Sequence, residues 1–258
     1  MEKISCKNCK HGFEVRNEKV RLIYTDPPYG VDYVPREGGG YDNTERKLMN
    51  DNKTPEDTKA FFLAVLRQLY NVSTDDTNIY WWYASSMADI NIQAFRETGW
   101  HYSQTCLWLK NSMIYSPGQN FHRVYEPCMV GWKTGKPRYK NIVFANLTEL
   151  WTTELKTFAE HLDVWYQKRD QVQKYIHPTQ KPVQLAERAL KRSSEKGEIV
   201  LDAFAGSGSL LIACEQLERK SRLIELDPKY CDAIVTRWCQ YKGETKVIKN
   251  GEEIQWIV

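Results

Sequence analysis

An α/β fold is predicted by two stretches that share one logic. In each, a hydrophobic strand ends abruptly in a turn rich in functional groups. The apolar run Val20-Arg21-Leu22-Ile23-Tyr24 leads into Asp26-Pro27-Pro28-Tyr29-Gly30. The run Glu198-Ile199-Val200-Leu201 leads into Asp202-Ala203-Phe204-Ala205-Gly206-Ser207-Gly208, which opens a helix. A third observation supports both: strands alternate with segments of helical period along most of the chain.

The first stretch stops a strand, because proline cannot donate to a sheet ladder. A stiff corner results, projecting the Asp26 carboxylate, the Pro27 carbonyl and the Tyr29 ring into one small space. These groups suit a nucleobase amine, a poor nucleophile whose lone pair is delocalised into the ring. Two acceptors that hold its N–H groups favour a pyramidal nitrogen with the lone pair free, and Tyr29 can stack on the base. The plainer reading is a proline-rich turn after a strand.

The second stretch reads as strand, glycine turn, helix, strand, acid, as in a nucleoside-binding α/β sheet. Glycine lets backbone approach a ligand that a Cβ would exclude. Glu225, at the end of the next strand, can accept both ribose hydroxyls. Leu211 stands where a dinucleotide site has its third glycine, which argues against NAD or FAD, and no GxxxxGK[ST] is present. If the two strands are neighbours, both turns open on one crevice.

At 258 residues the chain fits one domain, or one domain with an insertion. Lys3 to Cys6 is a short candidate strand. Residues 36–52, polar and glycine-rich around Gly38-Gly39-Gly40, read as a surface loop or a mobile lid beside the corner. Thr54 and Pro55 predict a helix start, followed by Phe61, Phe62, Val65, Leu66 and Leu69 at helical spacing. Ile79 to Ala84 is a strand, Ser86 opens a helix that Gly99 stops, and His101–Leu109 and Tyr125–Trp132 are further strands. From Lys133 to Tyr175 the alternation is lost. A helix follows Pro182, another spans Ser209–Glu218, a strand runs over Ser221–Leu226, and Pro228 starts a helix to about Tyr241. Asn250-Gly251 marks a hairpin.

The net charge is only +3, and residues 111–176 hold nine Lys and Arg against six Asp and Glu, so the excess sits there. Lys133, Lys136, Arg138 and Lys140 fall within eight residues with no acid among them. With Arg123 they are the candidates for phosphate contacts. Seven irregularly spaced cysteines argue against a disulfide framework and for a reducing cytosol. Cys6-x-x-Cys9 with His11 is half a zinc site that nothing completes, so no metal is expected. The N-terminus is charged from Glu2, and no apolar run is long enough to span a membrane, which predicts a cytoplasmic protein.

Taken in order, these motifs resemble the β-type amino-group DNA methyltransferases that use S-adenosylmethionine. Asp-Pro-Pro-Tyr at 26–29 comes first, then a target-recognition segment, then His-Pro-Thr-x-Lys-Pro at 177–182, then Phe-x-Gly-x-Gly at 204–208, then the acid at 225. Leu107-Trp108-Leu109-Lys110, Tyr125-Glu126-Pro127 and Gly131-Trp132-Lys133 add to the likeness, which covers nearly the whole chain. It implies a Rossmann-like, seven-stranded, mostly parallel sheet with helices on both faces, and a target-recognition segment inserted at about 111–176. It implies transfer of a methyl from S-adenosylmethionine to adenine N6 in duplex DNA, with S-adenosylhomocysteine as product. Asp26, Pro27, Pro28 and Tyr29 would handle an extruded base. Asp202, Phe204, Gly206, Ser207, Gly208, Glu225 and Asp227 would hold the cofactor, bordered by Asp26. Thr179 and Lys181 would close its methionine end. Where the family has Gly-Asp in its first loop, this chain has Lys7-Asn8, which leaves Asn8 to meet adenine. The alternatives are N4-cytosine, RNA as substrate, and a non-catalytic DNA-binding module of the same fold. Duplex DNA is the expected partner. A homodimer, a cognate restriction endonuclease, and a bacterial, archaeal or phage origin stay open.

Overall fold

Val20–Thr25 forms β1, and its pleat already sorts the core into two layers. In the structure, a computed structural model, residues 19–31, 51, 53–114, 120–133, 162–171, 176–177 and 179–258 are described. Leu22 and Tyr24 of β1 face one cluster, while Val20 and Ile23 face the other. On β2 (Ser73–Trp82) the same alternation puts Tyr80 and Trp82 with the first, and Ile79 and Trp81 with the second. Successive strand residues point to opposite faces, so a strand that alternates within two apolar layers is buried on both.

Helices supply each layer. The helix α1 (Pro55–Val72) starts at the Thr54 cap, whose hydroxyl accepts the Asp57 N–H at 3.1 Å. It buries Phe62, Leu66 and Leu69 in the second layer. A short 3₁₀ turn leads into α2 (Ala88–Glu97), which adds Ala94 and Phe95 there. The first layer is covered by α3 (Val183–Ser193) through Leu185, Ala186, Ala189 and Leu190. It is completed by α4 (Ser209–Gln216) through Leu210, Ala213 and Cys214.

The remaining strands are β3 (His101–Ile114), β4 (Arg123–Trp132), β5 (Val164–Tyr166), β6 (Ile199–Asp202) and β7 (Lys220–Leu223). The sheet has seven strands in the order β5-β3-β4-β2-β1-β6-β7. All run parallel except β4, which is antiparallel to both of its neighbours. The seven-stranded, mostly parallel expectation therefore holds. After β1 the chain crosses to β2 on one side, whereas after β6 it crosses to β7 on the other. The reversal between β1 and β6 is a switch point, where open α/β sheets form their ligand crevice.

The last helix, α5 (Pro228–Lys242), ends at Gly243 with φ 68°. A separate hairpin, β8 (Lys246–Lys249) and β9 (Glu252–Gln255), closes on Asn250 and Gly251, both at positive φ. The predicted hairpin is thus present, with the left-handed conformations that such a two-residue turn demands. No helix among the described residues is long and apolar enough to cross a membrane. The candidate strand at 3–6, Cys6, Cys9, His11 and nearly all of the 36–52 loop lie outside the described residues.

Candidate active site

The two turns singled out in the sequence lie side by side. β1 pairs directly with β6, Leu22 opposite Val200 and Ile23 opposite Leu201. At their shared end the Thr25 hydroxyl donates to Asp202 Oδ1 at 2.7 Å and accepts the Ala203 N–H at 3.1 Å. One buried threonine therefore joins the proline corner to the glycine turn. The Phe204 N–H also donates to Asp202 Oδ1, at 3.0 Å. Burial pushes the Asp202 carboxyl up to about 7, against the pull of those donors.

In the glycine turn, Gly206 and Gly208 adopt φ 53° and 72°. A Cβ on Gly208 would stand 3.1 Å from Ile234 of α5. Glu225 reaches back across the turn: its Oε2 accepts the Gly206 N–H at 2.8 Å, and its Oε1 accepts the N–H groups of Leu226 and Asp227, each at 3.0 Å. From α5, Arg237 donates to the Ser207 carbonyl at 2.9 Å. Phe204 packs on Phe61 of α1, with ring centroids 5.9 Å apart.

At the proline corner, the Tyr29 hydroxyl donates to Asp26 Oδ1 at 2.8 Å, and the Lys181 ammonium bonds Asp26 Oδ2. Lys181 also donates to Tyr29 Oη at 3.2 Å and pairs with Glu126 Oε2 at 3.4 Å. Glu126 Oε1 is taken by Lys110. Four side chains from four segments thus form a chain of alternating charge: Asp26, Lys181, Glu126, Lys110. Beneath it lie aromatic faces. Lys181 stands 4.9 Å from the Trp82 ring centre and Lys110 4.7 Å from that of Trp108. Burial raises the Asp26 carboxyl above its ordinary value, opposed by Lys181. Glu126 has two ammonium partners, which outweigh burial and hold it down at about 2. Burial lowers Lys110, while the carboxylates around Lys181 outweigh burial and raise it.

The structure brings Asp26, Tyr29, Asp202, Phe204, Gly206, Ser207, Gly208 and Glu225 to the adjacent carboxyl-terminal ends of β1, β6 and β7. Lys181 is there too, but its ammonium lies on the proline corner rather than beside the glycine turn. Its carbonyl accepts the Ser209 hydroxyl at 2.6 Å at the start of α4, so this residue spans both turns. The Thr179 hydroxyl meets His177 Nδ1 at 3.1 Å. Asp227 caps α5 by accepting the Lys229 N–H at 2.9 Å. Arg123 begins β4 at the same sheet edge as the corner. Lys133, another of the candidates for phosphate contacts, follows β4 at the opposite edge. There it bonds the Ser73 carbonyl at 3.1 Å, and its ammonium stands over the Tyr70 ring. Asn8, Lys136, Arg138 and Lys140 lie outside the described residues. Sequence reasoning assigned no role to Thr25, Glu126, Lys110 or Arg237. The signal for Lys110 and Glu126 was their place in the motifs Leu107-Trp108-Leu109-Lys110 and Tyr125-Glu126-Pro127, each setting one charge in or beside a strand-like run.

Switch point, glycine turn and acid-proline-proline-aromatic corner together mark an α/β fold with functional groups gathered at the carboxyl ends of its central strands. The N6/N4 methyltransferase family model, described as DNA methylase, matches residues 20–236. The chain belongs to this family and is a DNA methyltransferase. It is 26% identical over 243 residues to the type II methyltransferase M.HpaI of Haemophilus parainfluenzae, covering 90% of this chain and 72% of that one. Its fold matches the M1.HpyAVI–SAM complex with TM-score 0.61 at 20% identity, covering 86% of this chain and 90% of that one. The cytosine-N4-specific PvuII DNA methyltransferase matches with TM-score 0.65 at 17% identity, covering 86% and 80%.

Proposed function

We propose that this chain methylates the N6 amine of adenine at a defined sequence in duplex DNA, with S-adenosylmethionine as donor. The observation that carries the reading is the Thr25 link, which sets an amine-holding corner and a nucleoside-type glycine turn against each other at 2.7 Å from hydroxyl to carboxylate. Residues of the second turn fit the donor. Gly206 and Gly208 leave backbone open to close approach, and Asp202 and Glu225 offer carboxylates to its hydroxyl and ammonium groups. When bound, the donor supplies an electrophilic methyl on a cationic sulfonium.

The chain's own residues do the rest by position and charge. The target base must leave the helix stack, at a cost of roughly a few kcal/mol. Asp26 accepts a hydrogen bond from the amine. Each of its oxygens already has one partner, and each keeps a further lone pair. The Pro27 carbonyl takes the second N–H, and Tyr29 supports the ring. The likeness to the amino-group methyltransferases implies adenine rather than cytosine, since aspartate and not serine precedes Pro-Pro-Tyr. Arg123, at the same edge, meets the DNA backbone.

Labelled-methyl transfer to duplex DNA, single strands and RNA, followed by nucleoside analysis, tests the reading. N6-methyladenine in duplex DNA is expected. N4-methylcytosine would move the substrate to the other base, and RNA as the preferred acceptor would overturn the polymer assignment. Asp26→Ala should abolish transfer while calorimetry still shows donor binding. Full activity in that variant would remove Asp26 from the mechanism.

A further inference from the structure

We infer that Glu126 and Lys110 are positioning residues for methyl transfer, forming a charge-balancing pair that sets the electrostatic environment of Asp26 through Lys181. The inference rests on the proposed amine methylation and adds residues that reading does not use.

The Lys181 ammonium has three N–H groups and meets three acceptors: Asp26 Oδ2, Tyr29 Oη at 3.2 Å and Glu126 Oε2 at 3.4 Å. It is a fixed post, and Glu126 supplies one of its three ties. The Lys181 and Lys110 side chains are only 7% and 3% exposed, so water screens these charges poorly. The four groups carry two negative and two positive charges, and the set is neutral.

That balance bears on the chemistry. A neutral amine that gains a methyl becomes cationic before it loses a proton. Without Glu126, the set of Asp26, Lys181 and Lys110 would carry a net positive charge that opposes a cation on the base. Without Lys110, the remaining three would carry a net negative charge. The groups facing Asp26 are Lys181 before α3, Tyr24 of β1, Tyr29 of the corner, Glu126 and Cys128 of β4, and Asp202 of β6. Glu126 has a counter-ion that does not itself pair with Asp26, the Lys110 ammonium on its Oε1, so its effect on Asp26 can be adjusted without touching the corner. β3 and β4 are antiparallel neighbours with Trp108 opposite Glu126, which fixes Lys110 on the far side of that acid.

The test is a double-mutant cycle on the full chain: Glu126→Gln, Lys110→Met and both together. It reads kcat against pH on duplex DNA, with donor binding by calorimetry as the check of folding. Glu126→Gln should lower kcat about 10–100-fold with donor affinity held, and move the acid limb of the profile down by about one pH unit. Lys110→Met should move that limb up. Methionine keeps the apolar stem over Trp108. The double variant, with Asp26 and Lys181 left to balance each other, should return the limb towards wild type and recover most of kcat. Single-variant limbs that stay in place, or a double variant whose kcat is no higher than that of Glu126→Gln, would overturn the inference. If Glu126→Gln does not fold, the upward shift in Lys110→Met and its reversal in the double variant still decide it. An inactive wild-type chain would instead fail the methyltransferase reading itself.

Discussion

Asp202 stands where a carboxylate is costly. It is 6% exposed, and burial raises it to about 7 although Thr25 and the Phe204 N–H both donate to it. A carboxyl raised above its unfolded value binds more protons in the folded state. Its contribution to stability is therefore present at low pH and is lost as pH rises from about 4 to about 7. Each unit is worth about 1.4 kcal/mol, so the ligand-free protein should lose on the order of a few kcal/mol across that window relative to Asp202→Asn. Thermal melts of the two proteins from pH 4 to 8 check this, and parallel curves would refute it. A second residue-scale constraint is Gly30, at φ +71° with its N–H donated to Asp51 at 2.8 Å. A Cβ there would lie 2.5 Å from Thr58 Oγ1. Gly30→Ala should cost about 1–3 kcal/mol and most of the activity. Thr58→Ala in that background should recover only part of both, because the backbone strain stays. Equal losses with and without the threonine would show that the contact is immaterial. The glycine was legible as the end of a tight corner. Its neighbour from α1 was not, since nothing local in sequence places residue 58 against residue 30.

Among the elements, those with a clear period were legible and those defined by a partner were not. α1 announced itself by cap, proline and apolar spacing, and the β8–β9 hairpin by Asn250-Gly251. β5 escaped notice because three residues cannot show a period. It exists because Trp165 buries itself against Tyr80 and Trp82, while Trp108 donates to the Gln167 carbonyl at 2.7 Å. The polar first half of β2 is likewise held by its surroundings, with the Thr77 hydroxyl on the Val20 carbonyl at 2.8 Å. Adjacency of β1 and β6 could be expected from the motifs, but the threonine that fastens them could not. Thr25→Val keeps the β-branched shape while removing the hydroxyl, so it leaves the Ala203 N–H and Asp202 short of a partner. A loss of about 1–3 kcal/mol in stability is expected. Weaker donor binding and slower transfer should accompany it, because both turns shift together. If calorimetry showed unchanged donor affinity in a destabilised Thr25→Val, the hydroxyl would be only a structural tie.

Across the whole molecule, strand direction decides what can face DNA. The C-terminal ends of β1, β2, β3, β5, β6 and β7 and the N-terminal end of β4 share one edge, and both turns of the site open there. Arg123 begins β4 on this edge, and Arg169 follows β5 on it, its backbone N–H on Asn111 Oδ1 at 3.0 Å. The Nε atoms of both are buried and find no hydrogen-bond partner among the described residues. Lys133, by contrast, follows β4 at the far edge and is 9% exposed. A charge count along the chain could not tell these residues apart, because a ten-residue strand carries its two ends to opposite sides of the sheet. Two charge-neutralising substitutions on the site edge, Arg123→Ala and Arg169→Ala, should each weaken duplex binding across all sequences. Each should reduce the slope of log affinity against log salt by about one unit, as loss of one phosphate contact does. Lys133→Ala should leave that slope alone and act on stability instead, through the lost bond to Ser73. Binding titrations of the three variants over a range of salt separate these outcomes. A slope reduced by Lys133→Ala and not by either arginine would place the DNA on the other edge, away from the corner, and would be incompatible with the base reaching Asp26.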